Sequence, residues 1–104
     1  MKYILVLCTI NSIESAKRIS RELVGEKLAA CVNIIPNLTS IYSWENKIVE
    51  DSEFLMLIKT KESLFEELKS RIVQLHEYDV PEIISFDIKD GLDKYLNWIK
   101  QETK

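Results

Sequence analysis

The chain contains little glycine, cysteine or histidine, and each scarcity excludes a class of site. Only two glycines occur among 104 residues, Gly25 and Gly91, whereas a loop that cradles phosphates needs several glycines in one short turn. A P-loop and a dinucleotide fingerprint are therefore excluded, and no organic cofactor is predicted. The two cysteines, Cys8 and Cys31, form no Cys-x-x-Cys pair, and His76 is the single histidine. One chain therefore lacks the four Cys and His ligands of a typical structural zinc site.

The chain also lacks an excess of basic residues and any long apolar run. Its 14 Lys and Arg residues against 17 Asp and Glu residues give a net charge of −3. This balance disfavours a nucleic-acid binder, because such proteins carry basic surfaces. No run approaches the roughly 20 apolar residues of a spanning helix, and the apolar segment 1–10 is too short for a signal peptide. We therefore expect a cytoplasmic protein with neither a nucleic-acid nor a membrane partner.

Apolar residues, which make up 46% of the chain, are arranged in periodic segments that predict one domain over residues 1–104. Alternating or continuous apolar runs are typical of strands, and apolar residues three or four apart are typical of helices. The predicted elements are a strand at 2–9, a helix at 12–26, strands at 28–44 and 47–59, a helix capped by Thr60 or Ser63 with its apolar stripe at 64–75, a strand at 82–89 with one wet face, and a short helix at 92–99.

This order predicts an α+β fold, a ferredoxin-like split βαβ sandwich with an extra C-terminal helix and helices on one sheet face.

The hairpin formed by the second and third strands is too long for a compact chain of this size. Residues 28–44 would span about 55 Å if fully extended, against a diameter of roughly 33 Å for a compact domain of this length. We expect the hairpin to bend at Pro36, because proline favours edges and bulges, and to turn at Glu45–Asn46. Its distal half carries apolar residues that would be exposed in a monomer, including Ile41, Trp44 and Ile48.

An exposed apolar β-hairpin promotes aggregation unless another chain covers it. We therefore infer a closed homo-oligomer in which the hairpin packs on neighbouring subunits. The alternative is a mobile arm that packs on nothing.

Several collinear motifs, spread over almost the whole chain, resemble the CutA divalent-cation-tolerance family. They are LAACVNIIP at 28–36, TSIYSWE at 39–45, Lys59-Thr60, HEYDVPEI at 76–83 and YLNW at 95–98. One departure is Glu77, since the family usually has proline after the loop histidine; the loop loses that rigidity and gains a carboxylate. The resemblance implies a cytoplasmic homotrimer similar to PII signalling proteins, linked to copper and heavy-metal tolerance and without an established catalytic reaction.

The resemblance further implies that Cys8 and His76 are copper ligands. Thiolate favours Cu(I) and imidazole suits Cu(II), so either copper ion is a reasonable cofactor. Two donors are few, and further ligands would come from other subunits or from the carboxylates of Glu77, Asp79 and Glu82. The alternative is structural for both residues: a buried thiol at Cys8 and a solvated loop histidine at His76.

A second hypothesis is a PII-like small-molecule site in an intersubunit cleft. Asn33, Tyr42, Lys59 and Glu82 are polar residues within or beside apolar strands. Because a buried charge requires a partner, we expect a Lys59–Glu82 ion pair, which would serve a ligand site or simply the structure.

Catalysis is the least favoured hypothesis, and we predict that the protein is not an enzyme. Acylphosphatases share this order of elements but need an arginine and glycines after the first strand, where this chain has Thr9-Ile10-Asn11-Ser12. No nucleophile–base pair accompanies the single histidine. The acidic residues Glu50, Asp51 and Glu53 could hold a hard cation, but we expect them to form a solvated edge.

Overall fold

The structure, a computed structural model, describes all 104 residues and contains four strands and three helices. The elements are β1 (Tyr3–Ile10), α1 (Ile13–Gly25), β2 (Cys31–Trp44), β3 (Lys47–Lys61), α2 (Phe65–Leu75), β4 (Ile83–Ile88) and α3 (Asp93–Gln101). The strands form one antiparallel sheet in the order β2-β3-β1-β4. Because β3 lies between β1 and β2, and β1 lies between β3 and β4, both βαβ units are split. The predicted ferredoxin-like α+β fold is confirmed.

Helix α1 begins where the sequence predicts it. Ser12 precedes it in an extended conformation, and its Oγ accepts a hydrogen bond from the Ser15 N–H at 3.3 Å, which satisfies one of the unpaired donors of the first turn. The predicted caps of the second helix, Thr60 and Ser63, are wrong. Strand β3 runs on to Lys61 and a short 3-10 turn follows, so α2 begins at Phe65 without a side-chain cap.

Alternate residues of the sheet face the helices and build the core. The buried members of this covered face are Ile4, Val6, Cys8 and Ile10 of β1 with Met56 and Ile58 of β3. They pack in one cluster with Ala16, Ile19 and Leu23 of α1 and with Leu68 and Ile72 of α2. The predicted placement of the helices on one face of the sheet is therefore confirmed for α1 and α2.

The other side of the sheet, here called the open face, is apolar and lies opposite to α1 and α2. Directly opposed residues of antiparallel strands project to the same side, and the strand pairing groups Leu5, Leu7, Ile35, Leu55, Leu57, Ile84 and Phe86 on this face. The side chains of Ile84 and Phe86 are 46% and 52% exposed. Both sides of β4 are thus exposed in the single chain, because the apolar side of this edge strand points away from α1 and α2, so the expected single wet face is not formed within one chain.

The β2–β3 hairpin bends where proline predicts it. The pairing shifts register between Ile35 and Leu38, and Asn37 adopts a left-handed backbone with φ of 63°. Beyond this bulge lies the distal hairpin, residues 38–53, which closes through Glu45 and Asn46, both with positive φ. The molecule measures 44 × 25 × 23 Å, so its long axis exceeds the diameter expected of a compact domain of this length.

None of the three helices combines the length and the hydropathy needed to cross a lipid bilayer.

Candidate functional site

The two copper ligands implied by the sequence resemblance meet at one backbone oxygen. Cys8 lies on the covered face near the end of β1, fully buried, and its thiol contacts the Thr9 carbonyl oxygen at 3.8 Å. His76 directly follows α2, and its Nε2 lies 2.8 Å from the same oxygen. The fold therefore brings Cys8 and His76 together although 67 positions separate Thr9 from the histidine. The interpretation of His76 as a solvated loop residue is wrong, because its side chain is buried.

Both donor atoms carry protons in this arrangement. The backbone N–H of Tyr78 donates to His76 Nδ1 at 3.1 Å, so Nδ1 is the acceptor and Nε2 is protonated and donates to Thr9. Burial raises the pKa of the Cys8 thiol to about 12, and the negative charges of Glu82 and Glu53 contribute to this shift. A metal ion would therefore have to displace the thiol proton and the hydrogen bond at Nε2.

The remaining carboxylates do not complete a metal site within the chain. No three His, Cys, Asp or Glu side chains converge in the geometry that holds a metal ion. Glu77, the residue that replaces the usual proline, accepts a hydrogen bond from Ser15 Oγ at 2.8 Å and so joins the loop to α1. The donor set of one chain is thus Cys8 and His76 alone, which is too few for a closed metal site.

A groove of about 650 Å³ lies beside this position, between the distal hairpin and the loop that follows α2. Its wall residues of charged or aromatic character are Tyr42, Trp44, Glu53, Tyr78, Asp79 and Glu82. Thr9 also lines it and connects it to the Cys8–His76 pair. Of the predicted cleft residues, Tyr42 and Glu82 therefore share one cavity.

Two tyrosine–carboxylate hydrogen bonds organise the groove. The Tyr78 hydroxyl donates to Glu53 Oε2 at 2.7 Å, and the Tyr42 hydroxyl donates to Asp51. The pKa of Tyr78 is raised, mainly by burial and then by the bond to Glu53, and the pKa of Tyr42 is raised mainly by the bond to Asp51. Both phenols therefore stay protonated and act as donors at neutral pH.

The expectation that Glu53 belongs to a solvated acidic edge is wrong. Its side chain is only 7% exposed, because the loop carrying Tyr78 covers it, whereas Glu50 and Asp51 are exposed as expected. The sequence contains the missed signal: Glu53 alternates with Leu55 and Leu57 and so falls on the apolar side of β3.

The other two cleft residues lie elsewhere. Lys59 contacts the Asn33 amide oxygen and lies 4.0 Å from Cys31 Sγ. The predicted Lys59–Glu82 pair is wrong: Lys59 is opposite Leu5 in the middle of the sheet, and Glu82 precedes the Cys8–Ile83 pair at the far end of β1.

The predicted interface residues are all exposed in the single chain. Ile41, Trp44 and Ile48 of the distal hairpin are 66%, 46% and 85% exposed, respectively.

Comparison with known proteins identifies the family. The family model for the CutA1 divalent ion tolerance protein matches residues 4–102. The divalent-cation tolerance protein CutA of Thermus thermophilus is 50% identical over 94% of this chain and 95% of its own length. Its solved structure, at 48% identity, superposes with a TM-score of 0.96 over 98% of this chain and 99% of that chain.

A plant relative differs in length. Protein CutA, chloroplastic, of Arabidopsis thaliana is 48% identical over 97% of this chain, which spans 56% of that relative. The family model and the bacterial relative both extend over nearly the whole chain. The chain therefore belongs to the CutA1 divalent ion tolerance protein family.

Proposed function

We propose that residues 1–104 form a single non-catalytic domain that assembles as a homotrimer in the cytoplasm, binds copper or another heavy-metal ion and contributes to metal tolerance. The observation that carries the assembly is the uncovered open face of the sheet, with Ile35, Ile84 and Phe86 exposed. Contiguous apolar surface of this kind marks interaction sites in soluble proteins. The non-catalytic role is supported by His76, whose two ring nitrogens are both bound to backbone groups.

The distal hairpin supports the same assembly. Ile41, Trp44 and Ile48 project from a part of the chain that has no helix to cover them. The mass in solution tests the proposal: we expect three times the 12.2 kDa of one chain by light scattering with size exclusion. A monomeric mass at micromolar concentration would refute the trimer.

Copper binding through Cys8 and His76 is supported by their shared contact with the Thr9 carbonyl oxygen. Thiolate and imidazole are donors that suit copper, and the remaining ligands would come from water or a neighbouring subunit. Because binding must release the Cys8 proton, whose pKa is raised by burial, we expect copper affinity to increase with pH.

A copper titration at about pH 6, 7 and 8 tests this site. Cys8→Ser and His76→Ala should each weaken binding, whereas Cys31→Ser, which changes the other free cysteine, should leave it unchanged. Equal copper binding in all four proteins would remove Cys8 and His76 as ligands.

A second candidate function is a PII-like signalling or scaffold protein that binds a small molecule in an intersubunit cleft. The groove of about 650 Å³ favours it, because its size falls in the usual range of ligand pockets. Thermal-shift profiling with nucleotides, amino acids and amines tests this function. A melting temperature that no compound raises would reject it.

A further inference from the structure

The groove carries negative charge that the chain does not neutralise. Glu53 is 7% exposed, and its one hydrogen-bond partner is the neutral hydroxyl of Tyr78. It takes part in none of the ion pairs of the structure. A buried carboxylate is stabilised by hydrogen bonds and by an opposite charge that together replace its lost hydration, and here the chain supplies one hydrogen bond and no opposite charge.

The rest of the groove adds carboxylates and supplies no cation. Asp79 and Glu82 line it on the loop side, and no lysine, arginine or histidine is among its lining residues. On the helical side, by contrast, Arg71 pairs with both Glu22 and Glu26. The groove is therefore a local concentration of unpaired negative charge, which attracts a cation from solution.

Aromatic rings form much of the remaining wall. Tyr42 and Trp44 come from β2 and Tyr78 from the opposite loop. The hydroxyls of the two tyrosines are engaged by Asp51 and Glu53. Aromatic faces attract ammonium groups through their quadrupole and also cover apolar methylene segments. Carboxylates combined with aromatic walls thus favour a cation that has an organic body.

The spread of the carboxylates distinguishes an organic cation from a metal ion. A metal requires several ligands at one point, and no three acidic, histidine or cysteine side chains of the chain converge in this way. A linear organic molecule that carries positive charges at separate positions can instead contact carboxylates that lie apart.

We propose that the groove binds a linear di- or polyamine, with one ammonium group beside Glu53, another toward Asp79 and Glu82, and the methylene chain against Tyr42 and Trp44. This proposal rests on the ligand-binding candidate above and is independent of copper at Cys8 and His76. Because Ile41 and Trp44 also belong to the proposed trimer contact, the neighbouring subunit would border the same groove. The native oligomer is therefore the species to test.

Isothermal titration of the full-length protein with spermidine tests the proposal. We expect saturable binding with one site per chain, weakened about tenfold in Glu53→Gln, since loss of one close charge pair commonly has an effect of this size. Glu50→Gln is the matched control, because Glu50 is exposed on the same strand and does not line the groove; its affinity should equal that of the wild type. A neutral diol of similar length should not bind.

Several outcomes would overturn the proposal: no saturable spermidine binding, equal affinity in Glu53→Gln, or displacement of spermidine by an equal concentration of Mg²⁺, which would indicate unspecific charge screening. If circular dichroism shows that Glu53→Gln is unfolded, Glu82→Gln at the exposed rim is used with the same expectation of weaker binding. If the protein binds another class of metabolite but not spermidine, this inference is rejected and the proposed ligand-binding function stands. If it binds no ligand at all, both are rejected.

Discussion

The covered face and the distal hairpin both include parts of β2 and β3 but differ in how they are stabilised. On the covered face, Val6, Ile19 and Ile58 are fully buried by residues of the same chain. In the distal hairpin, Ile41 and Ile48 are mainly exposed, and the chain itself supplies strand pairing and a few side-chain hydrogen bonds but no apolar cover for them. Isoleucine side chains are therefore buried on the covered face and exposed in the distal hairpin beyond the bulge at Pro36–Asn37.

This difference shows that the fold of one chain and its assembly have separate physical origins. The core beneath α1 and α2 is complete in a single chain, so it should fold without partners. The open face and the distal hairpin leave apolar surface in water, which another chain must cover to gain the hydrophobic free energy. Mutations should thus divide into those that unfold the chain and those that only dissociate it.

The largest effect is expected from Ile19→Ala in α1. Ile19 is completely buried in the core cluster, and removing a large aliphatic side chain there should lower the free energy of unfolding by about 2–5 kcal/mol. Urea denaturation measures this loss. Val24→Ala in the same helix is the control, because Val24 is 41% exposed, and its effect should stay below about 0.5 kcal/mol. Similar losses in both variants would contradict a core confined to the covered face.

Ile48→Asp should have the next largest effect, on assembly and not on folding. If neighbouring subunits cover Ile48, the substitution forfeits about 1.5–3 kcal/mol of burial per subunit and places a charge in the contact. Sedimentation should show smaller species, while far-ultraviolet circular dichroism keeps the helical signal of the covered half. Lys17→Ala, at an exposed position of α1 outside the distal hairpin, should leave the mass unchanged. An intact oligomer with Asp at position 48 would show that the distal hairpin is a free arm.

The buried Cys8 and the partly exposed Cys31 should differ in their effect on folding stability at alkaline pH. The thiol of Cys8 has an ordinary pKa of 9.0 that burial raises to about 12 in the folded chain. Above pH 9 the unfolded chain releases this proton and the folded chain retains it, so stability is full below pH 9 and falls as pH rises toward 12.

We expect a loss of about 1 kcal/mol between pH 9 and pH 10 from this group, measured by urea denaturation at each pH. Cys8→Ala should flatten the profile, whereas Cys31→Ala, on the open-face side of β2, should not. An unchanged slope in Cys8→Ala would show that other groups control the alkaline transition.

The sequence predicts the covered half better than the groove, for a physical reason. Periodicity reports which residues turn toward the same side, and this suffices for β1, α1 and the split βαβ order. It does not report which side acquires a cover, so the apolar row Ile84–Phe86 was expected to have a buried face and instead lies on the open face.

Local sequence patterns also do not predict contacts between segments that lie far apart along the chain. The Tyr78–Glu53 and His76–Thr9 hydrogen bonds depend on how the loop after α2 reaches the sheet. The pairing of Lys59 with Glu82 failed because sequence proximity to a strand end does not specify the register. By contrast, Pro36 and Glu45–Asn46 were placed correctly, since proline and turn chemistry act within a few residues.

The smallest expected effect concerns the tip of the distal hairpin, where strand pairing alone stabilises the chain. Glu45 and Asn46 form its two-residue turn, with φ of 51° and 63°, and a turn with two left-handed residues favours asparagine and glycine over glutamate. Glu45→Asn should therefore raise stability by about 0.5 kcal/mol, visible as a slightly higher urea midpoint, while Asn46→Ala should lower it by a similar amount. Since both residues are exposed and lie outside the core, a gain from Glu45→Asn would show that the hairpin tip folds cooperatively with the covered half. A stability that neither substitution changes would show that the tip opens independently.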